Sequence, residues 1–218
     1  MAARNRANPL ALAVLTCLYE APMHPYEMAQ TLRARAKHES IKLNYGSLYG
    51  VVETLERRGL VEAVGTSQQG RRPQRTVYAI TEAGKVEMTE WLAELVAVPV
   101  KEYLQYEAAL SLLGGLPPDE ALPLLRQRCD VLEIQLDQMD ALLETARKRG
   151  LPRLFALEGE YQAALLRADL EFTRLLVADI EAGTLSGLDE WRSWYTPEAP
   201  APGPGTPTAT PDTDAGDT

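Results

Sequence analysis

Three arginines, Arg71, Arg72 and Arg75, crowd a stretch from Gly65 to Arg75 that holds two glycines, a proline and no acid. Guanidinium groups with no carboxylate nearby suit phosphate oxygens or a DNA minor groove. Binding that rests on them weakens steeply with salt. Leu60–Val64 and Thr76–Ile80 flank the stretch as short antiparallel strands, which puts the arginines at a hairpin tip. Upstream, Asn44 through Arg58 reads as a helix: Asn44 caps it, Leu48, Val51, Val52 and Leu55 form its buried face, and Gly59 stops it. Its first turn, Asn44, Tyr45, Gly46 and Ser47, is the part that reaches base edges when such a helix enters a major groove. Lys42 lies just ahead, and Thr54 shares the small, polar face with Ser47 and Gly50. Tyr49 either packs beneath the helix or stacks on a sugar. A helix followed by a basic hairpin is the arrangement of a winged helix-turn-helix.

Two more helices must hold this unit. Pro9–Glu20 carries the stripe Leu10, Val14, Leu15 and Leu18, and Ala21-Pro22-Met23 breaks it. His24 to about Lys37 follows, offering Tyr26, Met28, Ala29 and Leu32 to a core, with a basic far end. Tyr26 is either a core residue or a phosphate contact. His24 and His38 lie 14 residues apart without a cysteine or acid cluster at ligand spacing, so no metal and no cofactor is expected; His24 is assigned to bonding at the helix start. Thr81 caps a helix running to about Val98 that should bury Val86, Trp91, Leu92 and Leu95.

GSLYGVVETLERRGLVE, the arginine-rich wing, the closing VYAITEAG and the upstream PMHPYEMAQTL resemble the PadR family of bacterial transcriptional regulators. The resemblance covers roughly Pro9 to Trp91. Where the family commonly has proline after Ser-Leu-Tyr, this chain has Gly50, which costs a helix about 1 kcal/mol relative to alanine. The resemblance implies a C-terminal helical region that dimerises and sets the separation of two winged helices. It also implies aromatic small-molecule effectors bound near the helix of Trp91, with Tyr103 and Tyr106 as further pocket candidates.

The formal charge of −9 argues at first against nucleic acid, but residues 1–85 carry +5 and the remainder −14, a basic head on an acidic body. Cys17 and Cys129 sit in apolar helical patterns and read as buried hydrophobes. No apolar run suggests a membrane span or a secretory signal, so a cytoplasmic location is expected. There is no nucleophile–base set, phosphate-cradling loop or metal cluster, so no enzyme is expected.

Beyond a helix at 102–113 and a break at Gly114–Pro118, the cleanest periodicity begins. Leu122, Leu125, Cys129, Leu132, Leu136, Met139 and Leu143 form a heptad seam. After Gly150, a last helix opening at Pro152 carries Leu154, Leu157, Tyr161, Leu165, Ala168, Phe172, Leu176 and Ile180 on one face. The two helices form an antiparallel hairpin with apolar surface left for a second protomer. Leu122 to Leu143 of the seam, with Leu165, Phe172 and Leu176, are the dimerisation candidates. Trp191, Trp194 and Tyr195 tuck the chain end against this body or line a pocket. From Thr196 on, 6 prolines in 23 residues mark a disordered tail.

The expected fold is therefore mainly α: a winged helix-turn-helix with a two-stranded wing over 1–98, a helical dimerisation hairpin over 99–195, and the tail 196–218. The expected function is a dimeric regulator that reads a pseudo-palindrome in double-stranded DNA, a repressor released by an effector. The alternative is a winged helix that binds protein instead of DNA.

Overall fold

A computed structural model describes residues 8–38, 40–67 and 75–196. The chain divides into two compact units, Met1–Glu102 and Tyr103–Thr218. The hairpin tip with Arg71 and Arg72 lies outside the described residues, as do the expected tail beyond Thr196 and the side chain of Arg75.

The N-terminal unit runs α1 (Pro9–Glu20), α2 (Pro25–Ala34), α3 (Tyr45–Arg57), β1 (Val61–Ser67), β2 (Arg75–Ile80) and α4 (Glu82–Ala97). Asn8 caps α1 through its side chain, and Pro9 occupies the first turn, where a missing N–H costs nothing. The core is closed: Leu10, Val14, Leu15 and Leu18 of α1 meet Met28 and Leu32 of α2 and Leu48, Val52 and Leu55 of α3. β1 and β2 pair antiparallel with a bulge at Ala63/Gly65. The α1–α2 turn joins them through Met23, which exchanges both backbone bonds with Tyr78.

One junction binds α3, the wing and α4 together. Thr81 donates from its hydroxyl to the Gly59 carbonyl (2.8 Å), accepts from the Gly84 amide (3.0 Å), and its own amide reaches the Leu60 carbonyl (3.1 Å). Gly84 lies so close that a Cβ there would stand 2.0 Å from the Leu60 carbonyl oxygen. The Thr-Glu-Ala-Gly run is a backbone junction before it is anything else.

α4 departs from expectation. Trp91 is buried, but Val86, Leu92 and Leu95 are half exposed; Gly84 and Glu87 are the other buried positions. Close approach at Gly84 sets the rotation of the helix, and backbone packing outranks side-chain hydropathy there. α2 also stops earlier than expected, at Ala34, and the chain reverses through Ala36 at φ 55°.

The C-terminal unit contains α5 (Gln105–Ser111), α6 (Pro118–Lys148), α7 (Leu157–Ala182) and α8 (Leu188–Ser193). Gly150 and Gly183, at φ 73° and 72°, end the two long helices in the left-handed conformation. α6 and α7 form the antiparallel hairpin, and ion pairs read out its register: Arg126–Glu181, Arg128–Asp169, Glu133–Arg174 and Asp140–Arg167. Arg126, Glu133 and Asp140 advance by seven residues along α6 as Glu181, Arg174 and Arg167 retreat by seven along α7, and Arg128–Asp169 crosses off that step. Exposed pairs are worth at most about 1 kcal/mol each, so they specify register more than stability.

Two corrections follow for the seams. The heptad seam of α6 is spent inside its own chain: Leu122 and Leu125 pack in one cluster with Leu176 and Ile180, and Cys129, Leu132 and Leu136 pack with Leu170. Met139 and Leu143 lie over Gly159, whose absent side chain leaves them room. A helix tethered by a short turn competes for a seam at high effective concentration, which favours pairing in cis. The inner face of α7 is Ala163, Leu170, Thr173 and Ile180; of the stripe expected from the sequence, Leu176 and Ile180 pack inward and the residues before them do not. Leu157, Tyr161, Leu165, Ala168 and Phe172 point away from α6 and stay exposed, and Leu175 continues them.

The chain end is anchored as expected. Trp191 is buried and donates from Nε1 to the Leu116 carbonyl (2.8 Å), Tyr195 Oη donates to the Gly114 carbonyl (2.5 Å), and the Trp194 ring covers Gly114.

Candidate nucleic-acid interface

α3 presents the expected face. Leu48, Val51, Val52 and Leu55 are buried, while Gly46, Ser47, Gly50 and Thr54 are exposed. Asn44 spends its side chain on the cap, its Oδ1 accepting from the Ser47 amide (2.7 Å). Of the side chain of Tyr45 nothing is described. Lys42 is exposed just before the cap. The Thr54 hydroxyl donates to the Gly50 carbonyl (2.8 Å) and accepts from Arg57 (2.9 Å), which places a guanidinium on the same face. Arg58 turns the other way, to the buried carboxylate of Glu87 (3.3 Å). A Cβ at Gly50 would meet open space, so no packing demands glycine there.

α2 supports this surface. His24 caps it: its backbone N–H donates to Glu27, while its Nδ1 accepts from the Tyr26 amide (3.0 Å), completing a reciprocal capping box. That use of Nδ1 gives the imidazole a structural task. The His24 ring also meets Tyr49 edge-on at 6.1 Å between centroids. Tyr49 and Tyr26 are both more than a third exposed, and the Tyr26 hydroxyl accepts from Gln30 (2.6 Å). Neither tyrosine belongs to the core. At the far end of α2, Arg35 is bound in bidentate fashion to Glu20, which holds the Glu20 carboxyl below its ordinary range. The expected basic end of α2 is thus partly neutralised.

Cys17 is buried, and burial pushes its thiol up to about 11. Cys129 is raised by burial as well. Among the described residues no group of three His, Cys, Asp or Glu side chains could hold a metal, and no helix is long and apolar enough to cross a membrane.

Residues 14–90 match the Transcriptional regulator PadR-like family. The N-terminal unit is a PadR-like winged helix-turn-helix. Solved structures of similar fold include Bacillus subtilis PadR in complex with operator DNA (19% identity, TM-score 0.54, 81% of this chain and 98% of that chain). The PadR-like transcriptional regulator BC1756 from Bacillus cereus is comparable (15%, TM-score 0.55, 80% and 99%). So is Bacillus subtilis PadR in complex with p-coumaric acid (17%, TM-score 0.53, 83% and 98%). No curated protein sequence matches this chain. At these identities the shared property is the fold, and the matched PadR-like segment ends before α4 does.

The three pocket candidates belong to two units, Trp91 to the N-terminal one and Tyr103 and Tyr106 to the C-terminal one. Trp91 is buried in the N-terminal unit, with its indole N–H unpartnered. Tyr103 is 87% exposed. Tyr106 lies in the C-terminal unit, its hydroxyl 3.0 Å from that of Thr173 and its ring 3.5 Å beneath the guanidinium of Arg128, which pairs with Asp169. Sequence reasoning passed over Arg128, Asp169 and Thr173. Residues from two helices become neighbours only through hairpin register, and the single local hint was a threonine on a heptad-patterned helix.

Proposed function

We propose that this protein is a dimeric, sequence-specific DNA-binding transcriptional regulator acting in the bacterial cytoplasm, a repressor whose release is governed by a small effector. The observation that carries the reading is the surface of the N-terminal unit. The exposed first turn of α3, Thr54 and Arg57 stand over a closed core, and the sequence between the two paired strands contains Arg71 and Arg72. Operator binding by a protein of this fold supports it. So does p-coumaric acid binding for the effector part. Tyr26, Lys42, Asn44, Tyr45, Gly46, Ser47, Tyr49 and Thr54 are assigned to the DNA face together with Arg71, Arg72 and Arg75.

The dimer is assigned to the outward face of α7, through Leu165 and Phe172 with Leu157, Tyr161 and Leu175. These large apolar side chains are exposed, and from Tyr161 to Leu175, with Ala168, they recur at steps of 4, 3, 4 and 3. Two heads on one body read two half-sites and multiply their affinities. An effector acts by favouring a dimer geometry that no longer fits the operator, by no more than its difference in affinity for the two states.

The test is capture of genomic fragments at moderate salt, followed by sequencing, with wild type beside a variant in which Arg71, Arg72 and Arg75 are alanine. One enriched pseudo-palindrome, lost in the variant, is expected. On the recovered site, the slope of log affinity against log salt should become shallower by up to about 3, near 0.9 for each phosphate contact. No enrichment at any salt would sink DNA reading and leave a protein-binding winged helix.

A further inference from the structure

We propose that Arg57, at the far end of α3, binds a DNA phosphate, and that Thr54 serves it as a positioning residue instead of reading a base. The inference rests on the DNA reading above and gives that surface an anion site outside the wing. α3 ends in two adjacent arginines with opposite fates. Arg58 is taken up by the fold, its guanidinium 3.3 Å from the buried Glu87 carboxylate. Arg57 is exposed and, among the described residues, forms no ion pair. Glu53 lies four residues back, at the spacing that favours a helical ion pair, yet Nη2 of Arg57 donates to the Thr54 hydroxyl at 2.9 Å.

The hydrogen bonds separate the two roles. A threonine hydroxyl has a single proton, and Thr54 gives it to the Gly50 carbonyl (2.8 Å). The same oxygen accepts from Arg57, so Thr54 keeps no donor for a base edge. Arg57 is the reverse case. A guanidinium carries several N–H donors, and only one of them is engaged by Thr54. Holding that long side chain against the helix before DNA arrives removes part of the entropy lost on binding. Length decides between base and phosphate. Over the helix from Gly46 to Arg57, α3 rises ~16 Å at about 1.5 Å per residue. A B-form major groove is only about 12 Å wide. With the first turn at the base edges, the last turn stands at the groove wall, among the phosphates. A fixed, forked cation there matches a phosphate.

The test uses the full-length protein and a fluorescently labelled duplex carrying the site that genomic capture recovers, followed by anisotropy over a range of salt. Arg57→Ala is expected to weaken binding at least about tenfold at low salt. It should also make the slope of log affinity against log salt shallower by about 0.9 for each head. Thr54→Val keeps the shape without the hydroxyl; it should weaken binding about threefold and leave the slope unchanged, because the charge remains. Thr54→Ser should restore wild-type affinity, and Thr54→Val should change nothing further in an Arg57→Ala background. Both side chains are exposed, so the thermal melts should match wild type. An unchanged salt slope for Arg57→Ala would overturn the phosphate assignment. A Thr54→Val loss that persists at full size without Arg57, or that alters the captured sequence, would make Thr54 a base reader and overturn its positioning role. If wild type enriches no site, this proposal and the DNA reading fall together; if it enriches one that Arg57→Ala binds like wild type, only this proposal falls.

Discussion

The two halves of this chain solve the problem of apolar surface in opposite ways. In the N-terminal unit α1, α2 and α3 turn their stripes inward onto one core, and the outer face of α3 offers Gly46, Ser47, Gly50 and Thr54 with Arg57. The C-terminal hairpin carries two seams. One closes against its neighbour helix, and the other, Leu157 to Leu175 on α7, stays in solvent. A closed core beneath a polar face fits recognition of a charged, hydrated partner. An open seam fits permanent burial against another helix. The difference teaches that the same 3-and-4 spacing can mean a finished interior or an unfinished one, and only exposure tells them apart.

The comparison breaks hardest at the junction of the head. Gly84→Ala forces a methyl against the Leu60 carbonyl, and a loss of about 3–5 kcal/mol is expected in urea unfolding of the N-terminal unit. The two seams come next. Leu132→Ala on the closed seam should cost about 2–4 kcal/mol. Phe172→Glu on the open one should leave the monomer's unfolding nearly unchanged but shift sedimentation from dimer to monomer and weaken operator binding at least about a hundredfold. Equal unfolding losses for the two would erase the distinction between them.

Removing the capping box with His24→Ala should cost about 1 kcal/mol, read as a lower thermal midpoint. Gly50→Ala should have the opposite sign, stabilising by about 0.5–1 kcal/mol in the same melt, since the space around it is open. The smallest signal is pH. The Cys17 thiol is raised from 9.0 to about 11, so the stability it contributes is fully present below pH 9 and is lost as pH rises through about 11. Native protein at pH 8 should accordingly resist thiol labelling at Cys17 until it unfolds; rapid labelling would show an open head.

Much of the recognition surface could be read before any coordinates, because caps and helix stripes are local. Asn44, Thr81, Gly59 and the Leu48–Leu55 face all act within a turn or two of their own position. The cluster of Arg128, Asp169 and Tyr106 was not legible, because its members meet across helices. α4 was misread for a related reason: Val86, Leu92 and Leu95 are apolar, yet the contact at Gly84 turns them outward.

By itself, the sequence determined which segments become helices and strands, where they stop, and that basic charge gathers at one end of the chain, since each of these depends on neighbours along the backbone. The tertiary structure alone decided which of two apolar seams is consumed within the chain, which way α4 faces, and which arginine is already paired. Those outcomes depend on register and rotation between elements, and several alternatives share the same local pattern until packing selects one.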